Sequence, residues 1–151
     1  MAKRRRRANV SFGRGGMSIG TVAKQLKEVF GDTVVAAAKE ALKNGAEMVA
    51  KDAKARCPVY AGTKTKDGYV YMDKRVKPGE LRDSIKAEPN KDGTVYQITA
   101  NAKSESGFLY GQIVEFSPKI NKPFLYPAMD ANRLAVRNAI KDAIRAAVRG
   151  G

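Results

Sequence analysis

Residues 33–56 carry the pattern that most narrows what this chain can fold into. Val35, Ala38, Leu42, Ala46, Val49 and Ala53 recur at three- and four-residue steps, and no proline interrupts them before Pro58. That spacing predicts one helix of about 36 Å with a continuous apolar stripe. Such a helix is stable only when the stripe is covered by another element. Ala36, Ala37, Ala38, Ala41, Ala46, Ala50 and Ala53 keep one side shallow, so a second backbone can approach closely, while Glu40, Lys43, Glu47, Lys51 and Lys54 are spaced to face water. Gly31 divides this helix from a shorter one predicted over 18–30, where Val22, Leu26, Val29 and Phe30 have helical spacing. Ser18 or Thr21 can cap the short helix and Asp32 the long one.

From Leu81 the period changes to two. Ile85 and Ala87 alternate with polar neighbours, as do Tyr96, Ile98 and Ala100 beyond a turn at 89–93. These segments predict an antiparallel hairpin of 84–88 with 94–100. Tyr110, Val114 and Phe116 share one parity after a second turn at 104–107, which predicts a third strand over 109–116. A closing helix is expected over 128–148, with Val136, Ile140, Ile144 and Val148 at four-residue steps. Arg133, Arg137, Lys141, Arg145 and Arg149 follow one position later. The expected fold is α+β: a small antiparallel sheet of about three or four strands covered by two long helices. It forms one domain over 18–151, with an inserted loop at about 60–78 that holds only the strand-like fragment 69–72.

Charge is the strongest compositional signal. There are 29 Lys and Arg against 15 Asp and Glu, a net charge of +14, which calls for an acidic partner. Lys3, Arg4, Arg5, Arg6, Arg7 and Arg14 fall in the first sixteen residues with no acid among them. Residues 1–17 therefore read as a disordered basic arm, either a solvated tail or a binder of phosphate. The row of Arg133, Arg137, Lys141 and Arg145 is either an ordinary solvated face or the lining of a charged interface or lumen.

No histidine is present, which removes His-based triads and general bases and most zinc sites. Cys57 is the sole cysteine, so neither an intrachain disulfide nor a thiolate cage is possible, and at a helix C-terminus without a histidine it reads as a structural thiol. Glu47 and Asp52 read as solvated helix positions, and the glycines at 13, 15 and 16 lack the spacing and the preceding strand of a dinucleotide loop. No enzyme activity, cofactor or metal is expected. No apolar run approaches the roughly 18 residues of a membrane span, so a soluble protein of the reducing cytosol is expected. Phe124, Leu125 and Tyr126 lie between Pro123 and Pro127, in a segment read as an extended loop. Their side chains need a pocket, either in the chain's own core or against a neighbouring subunit. Tyr69 and Tyr71 in the inserted loop are further candidates for subunit contacts.

Four short motifs in order carry a family resemblance. They are Ala53-Lys54-Ala55-Arg56-Cys57-Pro58-Val59 at a helix end, Gly79-Glu80-Leu81-Arg82-Asp83-Ser84-Ile85, Tyr110 with Val114-Glu115-Phe116, and Pro123-Phe124-Leu125-Tyr126-Pro127-Ala128 before a closing helix. Over about residues 33–148 the chain resembles the small head-tail joining, or tail-completion, proteins of long-tailed bacteriophages. It departs from them where residues 60–78 separate the helix-ending proline from the Leu-Arg-x-Ser-Ile segment, and where Ser117 replaces the usual glycine after Glu-Phe. The resemblance implies a structural, non-enzymatic protein of the virion neck, assembled in the host cytoplasm. It would form a homo-oligomeric ring between head and tail, hexameric by preference and dodecameric as the alternative. Its neighbours would be a head-completion or adaptor ring, the tail terminator and packaged DNA. The composition alone also fits a free, sequence-nonspecific nucleic-acid-binding protein, although aromatic residues are only 7% and no nucleic-acid-binding motif is present.

Overall fold

A computed structural model describes residues 11–13, 16–71, 77–103, 107 and 109–150. In chain order the elements are β1 (Ser11–Gly13), β2 (Gly16–Ser18), α1 (Gly20–Phe30), α2 (Asp32–Arg56), β3 (Thr63–Lys64) and β4 (Val70–Tyr71). They continue with α3 (Glu80–Asp83), β5 (Ile85–Pro89), β6 (Val95–Ala100), α4 (Gly111–Phe116) and α5 (Leu125–Gly150). The α+β class and both long helices are as expected.

The sheet has the order β1-β2-β6-β5 and is antiparallel throughout. Its central hairpin follows the predicted period of two. Ala87 stands opposite Ile98, and Ile85 opposite Ala100. The turn is closed by Asn90, whose Oδ1 accepts from the N–H groups of Thr94 (2.9 Å) and Val95 (3.1 Å). Gly93 supplies the left-handed residue, φ +68°. Ile85, Tyr96 and Ile98 are buried on the face that α2 crosses.

The third strand is not 109–116. The place beside β6 is taken by β2, with Met17 opposite Tyr96 and fully buried. Residues 111–116 are helical, because Gln112 and Ile113 break the alternation that Tyr110, Val114 and Phe116 suggest. A Cβ on Gly111 would lie 2.8 Å from the Ala100 carbonyl oxygen, so only glycine lets this helix seat against the end of β6. Strands β1 and β2 also begin the sheet within the stretch read as a disordered arm; three-residue strands beside glycines leave no periodic signal. Residues 1–10, 14 and 15 lie outside the described residues.

Residue Gly31, at φ +83°, joins α1 to α2 with no intervening linker. It takes the N-cap position expected for Asp32, which falls in the first turn, where a carboxylate still favours the helix N-terminus. Along α2 the predicted stripe is buried, Val35, Ala38, Leu42, Ala46, Val49 and Ala53 included. Helix α5 packs chiefly along α2. The pair is antiparallel, since Asp52 Oδ2 accepts from Asn132 Nδ2 (2.7 Å) at one level and Gly45 meets Val136 at the next. The start of α5 is also three residues earlier than the periodicity indicates, which places Leu125 and Tyr126 in its first turn rather than in an extended loop. Pro127 is tolerated there because a first-turn residue needs no N–H.

A Cβ on Gly45 would come within 2.6 Å of Val136 Cγ1. Valine is stiff at χ1 and cannot swing away cheaply. We expect Gly45→Ala to destabilise the protein by about 1–2 kcal/mol in urea, because overpacking costs more than the roughly 1 kcal/mol gained in helix propensity. Val136→Ala introduced into the same chain should recover part of that loss, a coupling that a double-mutant cycle reads directly. A Gly45→Ala protein as stable as the parent would show that the helices part at no cost.

Candidate functional site

Glu115, on the last turn of α4, is the one buried charged side chain among the described residues, 7% exposed. Its Oε2 accepts from the N–H groups of Phe124 (2.7 Å) and Leu125 (2.9 Å), and its Oε1 from that of Tyr126 (2.9 Å). The start of α5 is thus satisfied by a carboxylate from another helix rather than by a neighbouring N-cap residue. The remaining donors close the account: Pro127 has none, and the Ala128 N–H reaches the Phe124 carbonyl at 3.4 Å. A negative charge at this position also meets the positive end of a 26-residue helix. Between the two helices the chain turns through Asn121, at φ +47°, a left-handed conformation that asparagine tolerates better than most residues.

This cap decides where the neighbouring aromatics point. Phe124 is fully buried, so of its two expected alternatives the side chain occupies the chain's own core. Leu125 is half-buried. Tyr126 is 38% exposed and packs on Phe116, itself 65% exposed, with ring centroids 5.7 Å apart and planes tilted by 60°. Beside this pair lies a groove of about 590 Å³ lined by Ala100, Leu109, Gly111, Leu125 and Met129. Cys57, at the end of α2, is close enough to feel both Arg82 and Glu115. Burial pushes its thiol from 9.0 up to about 11, opposed by Arg82 and reinforced by Glu115. Burial and the Glu80 carboxylate likewise raise the Tyr110 hydroxyl above its usual range. The four motifs, scattered over some seventy residues of sequence, therefore meet around one junction.

The remaining predicted residues lie elsewhere. Tyr69 is 76% exposed, beside the two-residue strands of the β3–β4 hairpin, and Tyr71 belongs to β4. Arg133, Lys141 and Arg145 are exposed and Arg137 is half-buried. Arg133 pairs with Asp130 (3.2 Å) and Arg145 with Asp142 (3.7 Å). By helical spacing Tyr126, Arg133, Arg137 and Lys141 form one stripe leading away from the junction. Lys3, Arg4, Arg5, Arg6, Arg7 and Arg14 lie outside the described residues. Sequence reasoning assigned no role to Glu115 or to an exposed Phe116. The available signal was a lone acid between apolar residues a few positions before a helix start. Among the described residues, no group of three or more acidic or cysteine side chains could hold a metal ion, and no helix is long and apolar enough to cross a membrane.

Glu115→Ala leaves two helix N–H groups and that of Phe124 without their acceptor, and should cost about 2–4 kcal/mol. Glu115→Gln keeps one oxygen and should cost less. Urea midpoints that rank the two variants in the opposite order would contradict the cap. Cys57 should react with iodoacetamide at neutral pH roughly 10- to 100-fold more slowly than an unfolded-chain thiol, because burial and a raised pKa leave less accessible thiolate. Because the folded state holds this proton more tightly, the associated stability is present below pH 9.0 and is lost as pH rises towards about 11. Native-state alkylation as fast as in denaturant would show that the thiol is not buried.

Comparison with known proteins bears on the same residues. No match is found among curated proteins or among solved structures. The family model for bacteriophage HK97-gp10, a tail component, matches residues 21–116, from the first turn of α1 to the last residue of α4. That span is well over half of the chain and ends one residue beyond Glu115. It covers the first three of the four motifs and agrees with the resemblance to head-tail joining proteins of long-tailed phages. The chain belongs to the HK97-gp10-like family of phage structural tail components.

Proposed function

We propose that this protein joins the DNA-filled head to the tail in the phage neck, as one member of a closed ring of six copies, with twelve as the alternative. The observation that carries this reading is the α4–α5 junction. A buried carboxylate locks a 26-residue helix to the family core, so an exposed aromatic pair and a basic stripe are held rigidly on one surface. Exposed aromatics held at low entropic cost are the residues that carry disproportionate energy at protein interfaces. Phe116 and Tyr126 are accordingly contacts to an adjoining subunit or ring, with Leu125 at their base. Tyr69 and Tyr71, on the hairpin of the inserted loop, reach a neighbouring ring such as the head-completion adaptor or the tail terminator.

Positive charge has a separate role in this proposal. The cations at 3–7 and 14 contact packaged DNA in the channel or an acidic patch on an adjoining ring, while the α5 row faces an interface with a neighbouring copy. The protein acts by position and contact and has no catalytic step. It is assembled in the host cytoplasm and resides in the virion neck.

Phage carrying a nonsense codon in this chain should yield DNA-filled heads and separate tails in electron micrographs. The Phe116→Ala, Tyr126→Ala double variant should give the same picture while its purified protein keeps the parental circular dichroism spectrum and urea midpoint. Joined, infectious particles from the nonsense phage would refute the joining role.

A further inference from the structure

We propose that neighbouring copies in the ring meet by a knob-and-groove contact. One flank of α5, with Leu134 as the apolar knob, seats in the groove between α2 and α5 of the next copy. The inference rests on the ring reading above and names the surfaces that would form it.

The receiving surface lies along one side of the antiparallel α2–α5 pair. It is a groove of about 540 Å³ floored by Ala37, Ala41, Gly45, Ala139 and Ala143, with Met48 at one end. Among all its lining residues the only charge is Glu40, and no Lys or Arg contributes, although the chain has 29 of them. The inserted surface is the stripe of Tyr126, Arg133, Leu134, Arg137 and Lys141. At 100° per residue, Arg137 stands roughly half a turn round α5 from Ala139. Leu134 is 67% exposed at the edge of that stripe, beside Lys141 in angle.

These two surfaces complement each other and neither complements itself. Stripe against stripe would oppose rows of cations whose one acid, Asp130, is already paired with Arg133, and groove against groove would leave Leu134 in water. Stripe into groove buries Leu134 against alanines and brings Arg137 or Lys141 towards the neighbouring copy's Glu40. A contact between two different patches on opposite flanks is heterologous, so it propagates head to tail and closes when the rotation permits. DNA does not fit the same role, because a groove without cations offers phosphate nothing and phosphate does not cover a leucine.

The test uses the full chain, purified and in assembled particles. A chain with both Leu134→Cys and Ala139→Cys should, with diamide as oxidant, form a ladder of covalent multimers ending at the ring number. Each single variant should give no covalent multimers, since Cys57 is buried. The two new thiols of one copy sit on opposite flanks of one helix and cannot bond to each other. Leu134→Glu should reduce the ring to monomers by light scattering, and Glu40→Arg combined with Arg137→Glu should restore rings that Glu40→Arg alone abolishes. Rings that persist in Leu134→Glu with no ladder would place the interface elsewhere and leave the ring reading standing. Dimers from Leu134→Cys alone would mean a two-fold contact, and a crosslink to a different virion protein would mean another occupant; either overturns the proposal. A parent chain monomeric both in solution and in particles would remove the ring and this interface together.

Discussion

Three backbone N–H groups converging on the Glu115 carboxylate form the contact on which the rest of the architecture depends. A helix of 26 residues begins with orphan donors and a partial positive charge, and neither can be left dry without cost. Here both are met by a side chain from the preceding helix. The chain between the two can then turn back sharply and still lay α5 along α2. The same bonds orient Phe124 into the core and Tyr126 outward onto Phe116. A solvated N-cap serine would satisfy one donor of α5 and would not couple the helix to α4. The buried acid does both, and it joins the end of the matched family region to the helix beyond it.

Helix α2 is the second element of this arrangement. It has the sheet on one side, α5 on another and α1 at its N-terminal end. Its apolar positions are mostly alanine and valine, so the layers approach closely, and at Gly45 even a methyl group would collide with Val136. Small side chains bury little area each, and the core is correspondingly dependent on a few large residues. Phe124, Met17, Ile19, Leu42, Ile85 and Ile140 are the largest of its fully buried side chains. Close backbone approach compensates through packing density rather than through area.

The surface is divided in a way that composition conceals. A net charge of +14 would suggest a uniformly basic particle, yet the α2–α5 groove is lined without a cation while the opposite flank of α5 has four at regular steps. Phe116, Tyr126 and Leu134 are exposed on the basic side, and Met48 is exposed at the end of the groove. An assembly protein needs surfaces that are stable in water when alone and specific when joined, and interspersed charge around a few aromatic anchors meets both needs.

Much of this was legible in the sequence because it depends on local periodicity. The α2 stripe, the Asn90–Gly93 turn with its flanking strands, and the four-residue rows of α5 are set by spacing that any partner would read in the same way. The ordered motifs around Cys57, Leu81, Tyr110 and Phe124 also marked the family before any coordinates did. Tertiary structure alone decided the rest. Residues 111–116 have a short pattern compatible with a strand or a helix, and the steric demand of Gly111 against β6 together with the cap by Glu115 selects the helix. Met17 entered the sheet through pairing with Tyr96, a contact across about eighty residues that no local signal encodes. Whether Phe124 was core or interface likewise depended on where Glu115 stood. Periodicity records the environment along one element, whereas a cap between helices and a strand added from afar exist only once distant segments have met.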